Sequence, residues 1–174
     1  NSYFLANKHE EIVYFDVFFR NMPENGGYAV FAGLETTLKF LKQVRFKVDE
    51  LKYLTNLGIF APEFLAYLKD FKFKGEVYSF KEGSLVFAKE PIMTIKGTLV
   101  ECQLVEAFIL NSINFETLIS TKAARIVKAA KGRAVFEFGT RRAHSNSAAI
   151  KGARAAYLAG ALATSNVLAG KTNK

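Results

Sequence analysis

A polar segment between two apolar elements carries the strongest signal of chemistry in this sequence. It is Gly139-Thr140-Arg141-Arg142-Ala143-His144-Ser145-Asn146-Ser147, which follows a predicted strand over 134–138 and precedes a predicted helix over 148–159. Folds of the α/β class place their ligand sites at the carboxyl ends of strands. Arginine offers a planar fork of donors for carboxylate or phosphate, and the N-terminus of the following helix adds N–H groups of the same polarity. The segment therefore predicts an anion site, unless one arginine pairs with Glu137 and the other is simply solvated.

Two further groups of polar residues are weaker candidates. His144 could act as a general base, donate to a ligand or cap the following helix. Thr164-Ser165-Asn166 follows a short strand-like segment, and its side chains could bind a ligand or cap a helix that begins near Asn166. No histidine, cysteine or carboxylate cluster has the spacing of a metal site, so we predict no metal held by protein ligands.

The best-defined predicted helix covers 116–131 and carries a row of cations. Lys122, Arg125 and Lys128 lie on a common side of it, and its only carboxylate is at its first residue. Cations near a helix C-terminus are favoured by the macrodipole, which accounts for Lys128. Lys122 and Arg125 are less well accounted for in this way, so they are candidates for binding an anion.

Composition limits the class of protein. The chain has 174 residues, a formal net charge of +8, half of its residues apolar and one cysteine, Cys102. These values exclude a disordered chain and a disulfide scaffold. No segment has the roughly 18 uninterrupted apolar residues of a membrane span, and we expect a soluble, cytoplasmic protein. The charge suggests an anionic partner, but the scattered lysines and the lack of an RNP motif or zinc-finger spacing argue against nucleic acid, and we expect no membrane partner.

The first part of the chain alternates strand-like and helix-like segments. Strands are predicted over 12–19 and 28–33, and a helix follows the second strand. Asp49 is the expected N-cap of a helix over 50–57, and Pro62 lies where the first turn of the next helix tolerates proline.

The middle of the chain contains short strands with glycine and proline in their connections. Strands over 76–80, 84–88 and 92–96 are expected to form an antiparallel meander, followed by a helix over 99–110.

The last third has the pattern of a parallel α/β unit. After the helix over 116–131, the order is strand, polar loop, helix, short strand and polar loop. We therefore predict an α/β protein in which an α+β part meets an α/β part between residues 111 and 131.

Four separated stretches resemble the nicotinate phosphoribosyltransferases, a family of type II phosphoribosyltransferases. They are FAGLE (31–35), INFETLISTKAARIV (113–127), EFGTRRAH (137–144) and TSNVLAGK (164–171). The resemblance runs in order along essentially the whole chain.

The resemblance implies an enzyme of NAD salvage. Such enzymes couple nicotinic acid to 5-phosphoribosyl 1-diphosphate, giving nicotinate mononucleotide and pyrophosphate, with ATP as co-substrate and Mg²⁺ accompanying the phosphates. It also implies a homodimer in which an N-terminal α+β sandwich-like domain, here residues 1–115, precedes an irregular, TIM-like α/β barrel. Residues 116–174 are expected to be the first strands and helices of that barrel, truncated at Lys174.

The resemblance also implies roles for particular residues. Arg141 matches the arginine of the family's FG-x-R motif, which contacts the substituent of the pyridine ring. Ser165 stands where nicotinamide-using relatives carry aspartate, and a neutral hydroxyl fits nicotinic acid because an aspartate would repel its carboxylate. Supporting contacts to substrate phosphate or carboxylate are expected from Thr140, Arg142, His144, Lys122 and Arg125.

Two segments of the family pattern are expected outside this sequence. A Thr-Asp-x-Tyr segment, whose tyrosine stacks on the pyridine ring, would precede Asn1. The phosphorylated histidine of a Gly-Thr-x-Ala-His segment would follow Lys174, so His144 is not that histidine and the catalytic residue is unknown here.

Alternatives from different functional classes stay open. One is a sister phosphoribosyltransferase that acts on nicotinamide or quinolinate, and the other is a non-catalytic, anion-binding α/β domain. Ser165 argues against nicotinamide. Quinolinate carries two carboxylates, which would require a denser set of cations than Arg141 and Arg142.

Overall fold

The computed structural model describes residues 1–173, and its elements are of mixed α and β type, which confirms the predicted α/β class. The helices are α1 (Ser2–Leu5), α2 (Leu34–Gln43), α3 (Val48–Asn56), α4 (Pro62–Lys69), α5 (Leu99–Ala129), α6 (Asn146–Leu158) and α7 (Val167–Thr172). The strands are β1 (Ile12–Val17), β2 (Ala29–Val30), β3 (Glu76–Ser79), β4 (Leu85–Val86), β5 (Met93–Thr98), β6 (Phe136–Glu137) and β7 (Ala163–Thr164). Short 3₁₀ helices cover Pro23–Asn25 and Thr140–Arg142.

An antiparallel sheet of order β1-β5-β3 forms one side of the core. Along β5, residues alternate between buried and half-buried, so that Met93 and Ile95 face inward. They belong to one apolar cluster with Val17 of β1 and with Val105 and Ile109 of α5. The burial of this sheet face against α5 is the hydrophobic interaction that holds the first part of the chain together.

The predicted meander is wrong. β3 pairs with β5, whereas β4 pairs with β2, a strand that lies far away in the sequence. The backbone of Phe31, just after β2, donates to the Ser84 carbonyl at 2.9 Å and accepts from the Gly83 N–H at 2.8 Å. Phe31 is fully buried, so its backbone groups must find partners inside the protein, and the segment that begins β4 supplies them.

Helix α5 is continuous over 31 residues, where two helices, 99–110 and 116–131, were predicted. The sequence between Leu99 and Ala129 contains neither glycine nor proline, and Ser112 and Ile113 in the expected gap are buried, so nothing interrupts the helix there. Thr98 caps its N-terminus: its hydroxyl accepts from the Glu101 N–H at 3.3 Å. The helix crosses the expected domain boundary between residues 115 and 116, and that division stays a prediction.

Hydroxyl groups on α5 form hydrogen bonds with the backbone of β2 and of Ala32 just after it, on the edge that faces away from β4. The Val30 N–H donates to Thr121 Oγ1 at 2.9 Å, and Ser120 Oγ donates to the Val30 carbonyl. Thr117 Oγ1 accepts from the Ala32 N–H at 3.2 Å and lies 3.1 Å from the Ala32 carbonyl. Because all of these groups are buried, the helix side chains replace the neighbouring strand that this edge would otherwise need.

Gly33 allows the chain to pass close to α5 before α2 begins. Its φ is 99°, and a Cβ atom there would lie 3.0 Å from the Ser112 carbonyl oxygen and 3.1 Å from Ile113 Cα. Any other residue would therefore meet both an unfavourable backbone conformation and a backbone contact.

Two of the predicted helix starts can be compared with the structure. Pro62 is in the first turn of α4, as predicted. The N-cap of α3 is Lys47, not Asp49, because the Glu50 carboxylate accepts the Lys47 N–H at 2.7 Å and moves the start of the helix toward the N-terminus.

The last third forms the predicted parallel unit. β6 and β7 pair in parallel, with Phe136 opposite Ala163 and Glu137 opposite Thr164, and α6 connects them. α6 packs against α5, so the long helix contacts both the first sheet and this unit. Within residues 1–173, no helix is both long enough and apolar enough to cross a membrane.

We expect Thr121→Val to destabilise the protein by about 1–3 kcal/mol, because the substitution keeps the side-chain shape but removes the acceptor of the buried Val30 N–H. Thr55→Val is the matched control, since Thr55 is an exposed helical threonine that also donates to the carbonyl four residues earlier. It should change stability by less than about 0.5 kcal/mol. Denaturant unfolding of the two variants measures the difference, and equal effects would contradict the proposed role of the α5 hydroxyls.

Candidate functional site

The loop after β6 carries the two adjacent arginines on its surface. Thr140–Arg142 forms a single 3₁₀ turn, in which the Arg142 N–H donates to the Gly139 carbonyl at 2.8 Å. Both arginine side chains are exposed, and no carboxylate among residues 1–173 lies within 4 Å of either guanidinium. Both guanidinium groups are therefore available to an anion in the described part of the chain.

The alternative in which one arginine pairs with Glu137 is wrong. Glu137 Oε1 accepts from the Gly139 N–H, and Oε2 accepts from the Thr164 hydroxyl at 2.6 Å. The Glu137 carboxylate is thus engaged by the loop after β6 and by the last residue of β7.

The loop after β7 lies beside the first loop. The Ser165 N–H donates to the Glu137 carbonyl at 3.1 Å, and the Ser165 side chain is exposed. Asn166 caps α7, as predicted, by accepting from the Ala169 N–H at 3.0 Å. Ser145 caps α6 in the same way, by accepting from the Ala148 N–H at 3.0 Å, and the positive end of that helix dipole follows the arginine loop.

A cleft of about 220 Å³ lies between the arginine loop and helices α5 and α6. Thr140, Arg142 and His144 line it together with Glu137, so the structure brings these predicted residues to one place. Apolar and small residues form its other walls: Phe115, Ile119, Ala143, Ala148, Ala149, Gly152 and Ala153. Arg141 and Ser165 do not line this cleft.

Lys122 and Arg125 are engaged by an acidic residue from the first part of the chain. Lys122 Nζ lies 2.6 Å from Glu24 Oε1, and Arg125 Nη1 lies 2.8 Å from Glu24 Oε2. These contacts lower the pKa of Glu24, with the hydrogen bond from Lys122 as the largest cause. Glu24 was not a candidate from the sequence, because nothing local indicates a partner about a hundred residues away.

A cluster of one arginine and three carboxylates joins the two parts of the chain, and sequence reasoning missed it. Arg154 of α6 makes a two-pronged pair with Glu82, with distances of 3.0 Å and 2.6 Å, and it also donates to Glu35 of α2. Glu116 of α5 is fully buried and lies 3.8 Å from Arg154 Nη1. Nothing local in the sequence indicates these partners, because Glu35 and Glu82 lie 119 and 72 residues away from Arg154.

The carboxylates of this cluster have different pKa directions. Burial would raise the pKa of Glu82, but Arg154 and the Gly33 N–H, which donates to Glu82 Oε1 at 2.7 Å, lower it overall. The pKa of Glu35 is lowered first by its hydrogen bond from Lys39. Burial raises the pKa of Glu116, and this effect is larger than the lowering by the Thr36 hydroxyl and by the charges of Arg154 and Lys151.

Comparison with known proteins identifies the family. Residues 1–114 match the model of the nicotinate phosphoribosyltransferase N-terminal domain. The chain belongs to the nicotinate phosphoribosyltransferase family. The resemblance stated from the four sequence motifs is thereby confirmed.

Relatives of this family are similar over nearly the whole chain. A nicotinate phosphoribosyltransferase of Bacillus subtilis is 48% identical over 170 residues, which cover 98% of this chain and 35% of the relative. One from Mycobacterium tuberculosis is 45% identical over 157 residues, which cover 90% of this chain and 34% of that relative. The chain therefore spans about a third of the length of these relatives.

Solved structures of similar proteins share the fold. The crystal structure of human nicotinic acid phosphoribosyltransferase superposes with a TM-score of 0.91 at 30% identity, covering 98% of this chain and 35% of that one. A nicotinate-nucleotide pyrophosphorylase from Pyrococcus furiosus gives a TM-score of 0.71 at 26% identity, and the match covers 99% of this chain and 38% of that one. Both matches include the arginine loop and the loop after β7, although the family model itself ends at residue 114.

We expect Glu116→Gln to remove part of the pH dependence of stability in this member of the family. A carboxyl group whose pKa is raised by folding favours the folded state below its ordinary pKa of 4.5, and that contribution is lost as pH rises through the folded-state pKa. As pH rises above 4.5, wild-type stability should therefore fall more steeply than that of Glu116→Gln, which is neutral throughout.

Thermal unfolding across this pH range measures the effect, and Glu63→Gln on the exposed face of α4 is the control. Equal pH dependence in wild type and Glu116→Gln would show that Glu116 is ionised in the folded protein.

Proposed function

We propose that the protein containing this chain is a nicotinate phosphoribosyltransferase that works in NAD salvage. It joins nicotinic acid and 5-phosphoribosyl 1-diphosphate to give nicotinate mononucleotide and pyrophosphate, with hydrolysis of ATP. The observation that carries this proposal is the 48% identity to the Bacillus subtilis relative across 98% of the chain. Homodimer formation and a cytoplasmic location are part of the same proposal.

Arg141 is the proposed residue for the nicotinate carboxylate. Its guanidinium is exposed at the carboxyl end of β6 and has no carboxylate partner within the described residues, so it can present a pair of donors to the carboxylate in one plane. Fixing the carboxylate fixes the pyridine ring, and with it the nitrogen that attacks the ribosyl carbon. Most of the rate gain would then come from positioning and from stabilising the charge on the leaving pyrophosphate.

Ser165 is the proposed selectivity residue. It lies in the loop whose backbone is bonded to Glu137, next to the arginine loop, and it offers a neutral hydroxyl. An aspartate at this position would accept from a carboxamide but repel a carboxylate, so serine favours nicotinic acid over nicotinamide.

The surroundings of the five supporting residues indicate which of them can contact the substrate phosphates. Thr140, Arg142 and His144 share the small cleft and can act together on one anionic group. Lys122 and Arg125 already bind Glu24, so an acidic substrate would have to displace that carboxylate to reach them.

Mg²⁺ belongs to this proposal as a companion of the substrate phosphates. Among the described residues, no group of three histidine, cysteine or acidic side chains is arranged to hold a metal ion. The ion would therefore be held mainly by diphosphate oxygens, and it would neutralise the charge of the leaving group.

The test of the proposed function is an assay of the complete protein that contains this chain. It is incubated with 5-phosphoribosyl 1-diphosphate, ATP and Mg²⁺, and with nicotinate, nicotinamide or quinolinate in turn. We expect mononucleotide from nicotinate. Product from nicotinamide or quinolinate alone would assign a sister activity, and no product from any of the three would favour a non-catalytic anion-binding domain.

Replacing Arg141 by alanine should lower kcat/KM for nicotinate by about 100-fold, because the substrate carboxylate loses a charged, two-pronged partner. Arg133→Ala, at an exposed arginine before β6, is the matched control and should stay near wild type. Steady-state kinetics with nicotinate measure both, and an unchanged kcat/KM for Arg141→Ala would overturn the assignment.

Replacing Ser165 by aspartate should shift the preference from nicotinate toward nicotinamide, because a carboxylate at this position repels one substrate and accepts from the amide of the other. Ser165→Asn is the control, since it adds a side chain of similar size without charge. The ratio of kcat/KM for the two substrates is the measurement. A similar loss of nicotinate use in both variants would show that the size of the side chain at 165, and not its charge, sets the preference.

A further inference from the structure

Glu137 makes bonds to both loops of the proposed nicotinate site. Its Oε1 accepts from the Gly139 N–H at the start of the arginine loop, and its Oε2 accepts from the Thr164 hydroxyl at 2.6 Å. Its backbone carbonyl accepts from the Ser165 N–H at 3.1 Å. One residue of β6 therefore connects the segment before Arg141 with the segment that carries Ser165.

The bonds continue into the second loop. Thr164 Oγ1, which donates to Glu137, also accepts from the Asn166 N–H at 3.0 Å. Asn166 in turn caps α7. The Glu137 carboxylate therefore orients the Thr164 hydroxyl. The same hydroxyl holds the Asn166 N–H, and so fixes the backbone after Ser165.

A carboxylate suits this position better than other side chains. Its two oxygens accept at the same time from a backbone N–H and a hydroxyl, and charge-assisted bonds of this kind are stronger than neutral ones. The fit is close, because a Cβ atom at Gly139 would lie 2.8 Å from Glu137 Oε1. Glycine at 139 lets the loop backbone reach the carboxylate.

The parallel pairing of the two strands alone does not fix the loops. β6 and β7 are each two residues long, and Glu137 and Thr164 are their last paired residues. Beyond this point one backbone bond, from the Ser165 N–H to the Glu137 carbonyl, still joins the second loop to β6. The side-chain bonds of Glu137 add the connection to Gly139, at the start of the arginine loop, and to Thr164.

We propose that Glu137 is a positioning residue that sets the separation between Arg141 and Ser165, and through it the selectivity for the pyridine carboxylate. The proposal rests on the proposed function for its kinetic consequence, but the connection between the loops can be measured without any substrate. Glu137 acts here through the two loops, because each of its carboxylate oxygens accepts from a protein donor of one loop.

The variants separate the two bonds. Glu137→Ala removes both side-chain bonds of Glu137. Thr164→Val keeps the side-chain shape and leaves the bond from the Gly139 N–H, but removes the bond to Glu137 together with the acceptor of the Asn166 N–H. Thr164→Ser keeps the hydroxyl and should rescue the wild-type behaviour. Glu90→Ala is the matched control, because Glu90 Oε1 likewise accepts a nearby backbone N–H, that of Phe87 at 2.7 Å, in the first part of the chain.

The first measurement is hydrogen–deuterium exchange of the complete protein without ligands. In Glu137→Ala, amides of 139–145 and 164–166 should exchange faster, whereas those in the middle of α5 stay as in wild type. Thr164→Val should affect the second loop and, through the carboxylate, the first. Unchanged exchange in both loops would overturn the proposal whatever reaction the protein catalyses.

The second measurement is steady-state kinetics. Glu137→Ala should raise KM for nicotinate by about 10-fold to 100-fold and reduce the preference for nicotinate over nicotinamide, with a smaller change in KM for 5-phosphoribosyl 1-diphosphate. Thr164→Ser should restore the nicotinate KM that Thr164→Val loses.

The outcomes distinguish the two proposals. A wild-type protein that makes no mononucleotide defeats the proposed function, while the exchange experiment still decides whether Glu137 connects the loops. Faster exchange with equal losses of kcat for all substrates and no change in KM or preference would show a general structural role, and would overturn the positioning role.

Discussion

The burial of the Arg154 guanidinium against three carboxylates is the constraint on which the arrangement of this chain depends. A charge partly removed from water is costly unless it is paired, and Arg154 of α6 finds its partners in Glu82 and Glu35. These two residues come from separate elements of the first part of the chain, and Glu82 also accepts the N–H of Gly33. One ionic cluster therefore fixes α6, α2 and the segment between β3 and β4 relative to each other. Glu116 lies beside them, 3.8 Å from Arg154, and its burial raises its pKa.

Helix α5 positions this cluster, because it packs against α6 and carries Glu116. Its apolar side packs on the β1-β5-β3 sheet, its hydroxyls bind the free edge of β2, and α6 lies against it. The lack of glycine and proline from 99 to 129 permits the helix to run without a break. The sheet of the first part and the β6–β7 unit are therefore joined through one continuous helix. The loops after β6 and β7 therefore extend from a fixed base, which is what a binding site requires.

The site combines features that sequence patterns reveal with features that they do not. The position of Arg141 after an apolar strand and before a capped helix followed from the order of residue types, and the structure places it there. The parallel pairing of β6 with β7 was predicted for the same reason, because it follows from the order of strand, loop and helix. The pairing of β3 with β5, the Glu24 contacts of Lys122 and Arg125, and the Arg154 cluster were not predicted, because each joins residues whose separation in the chain carries no local signal.

The sequence by itself determined the class of fold, the helix start at Pro62, the two polar loops and, through four motifs, the family. Helix and strand propensity and helix capping depend on residues a few positions apart, so the sequence alone predicts them. Only the tertiary structure decided which strands pair, that α5 runs without a break, and that Glu137 connects the two loops. These depend on the partner that a buried backbone group or charge finds once the chain has collapsed, and that partner is selected by packing in three dimensions.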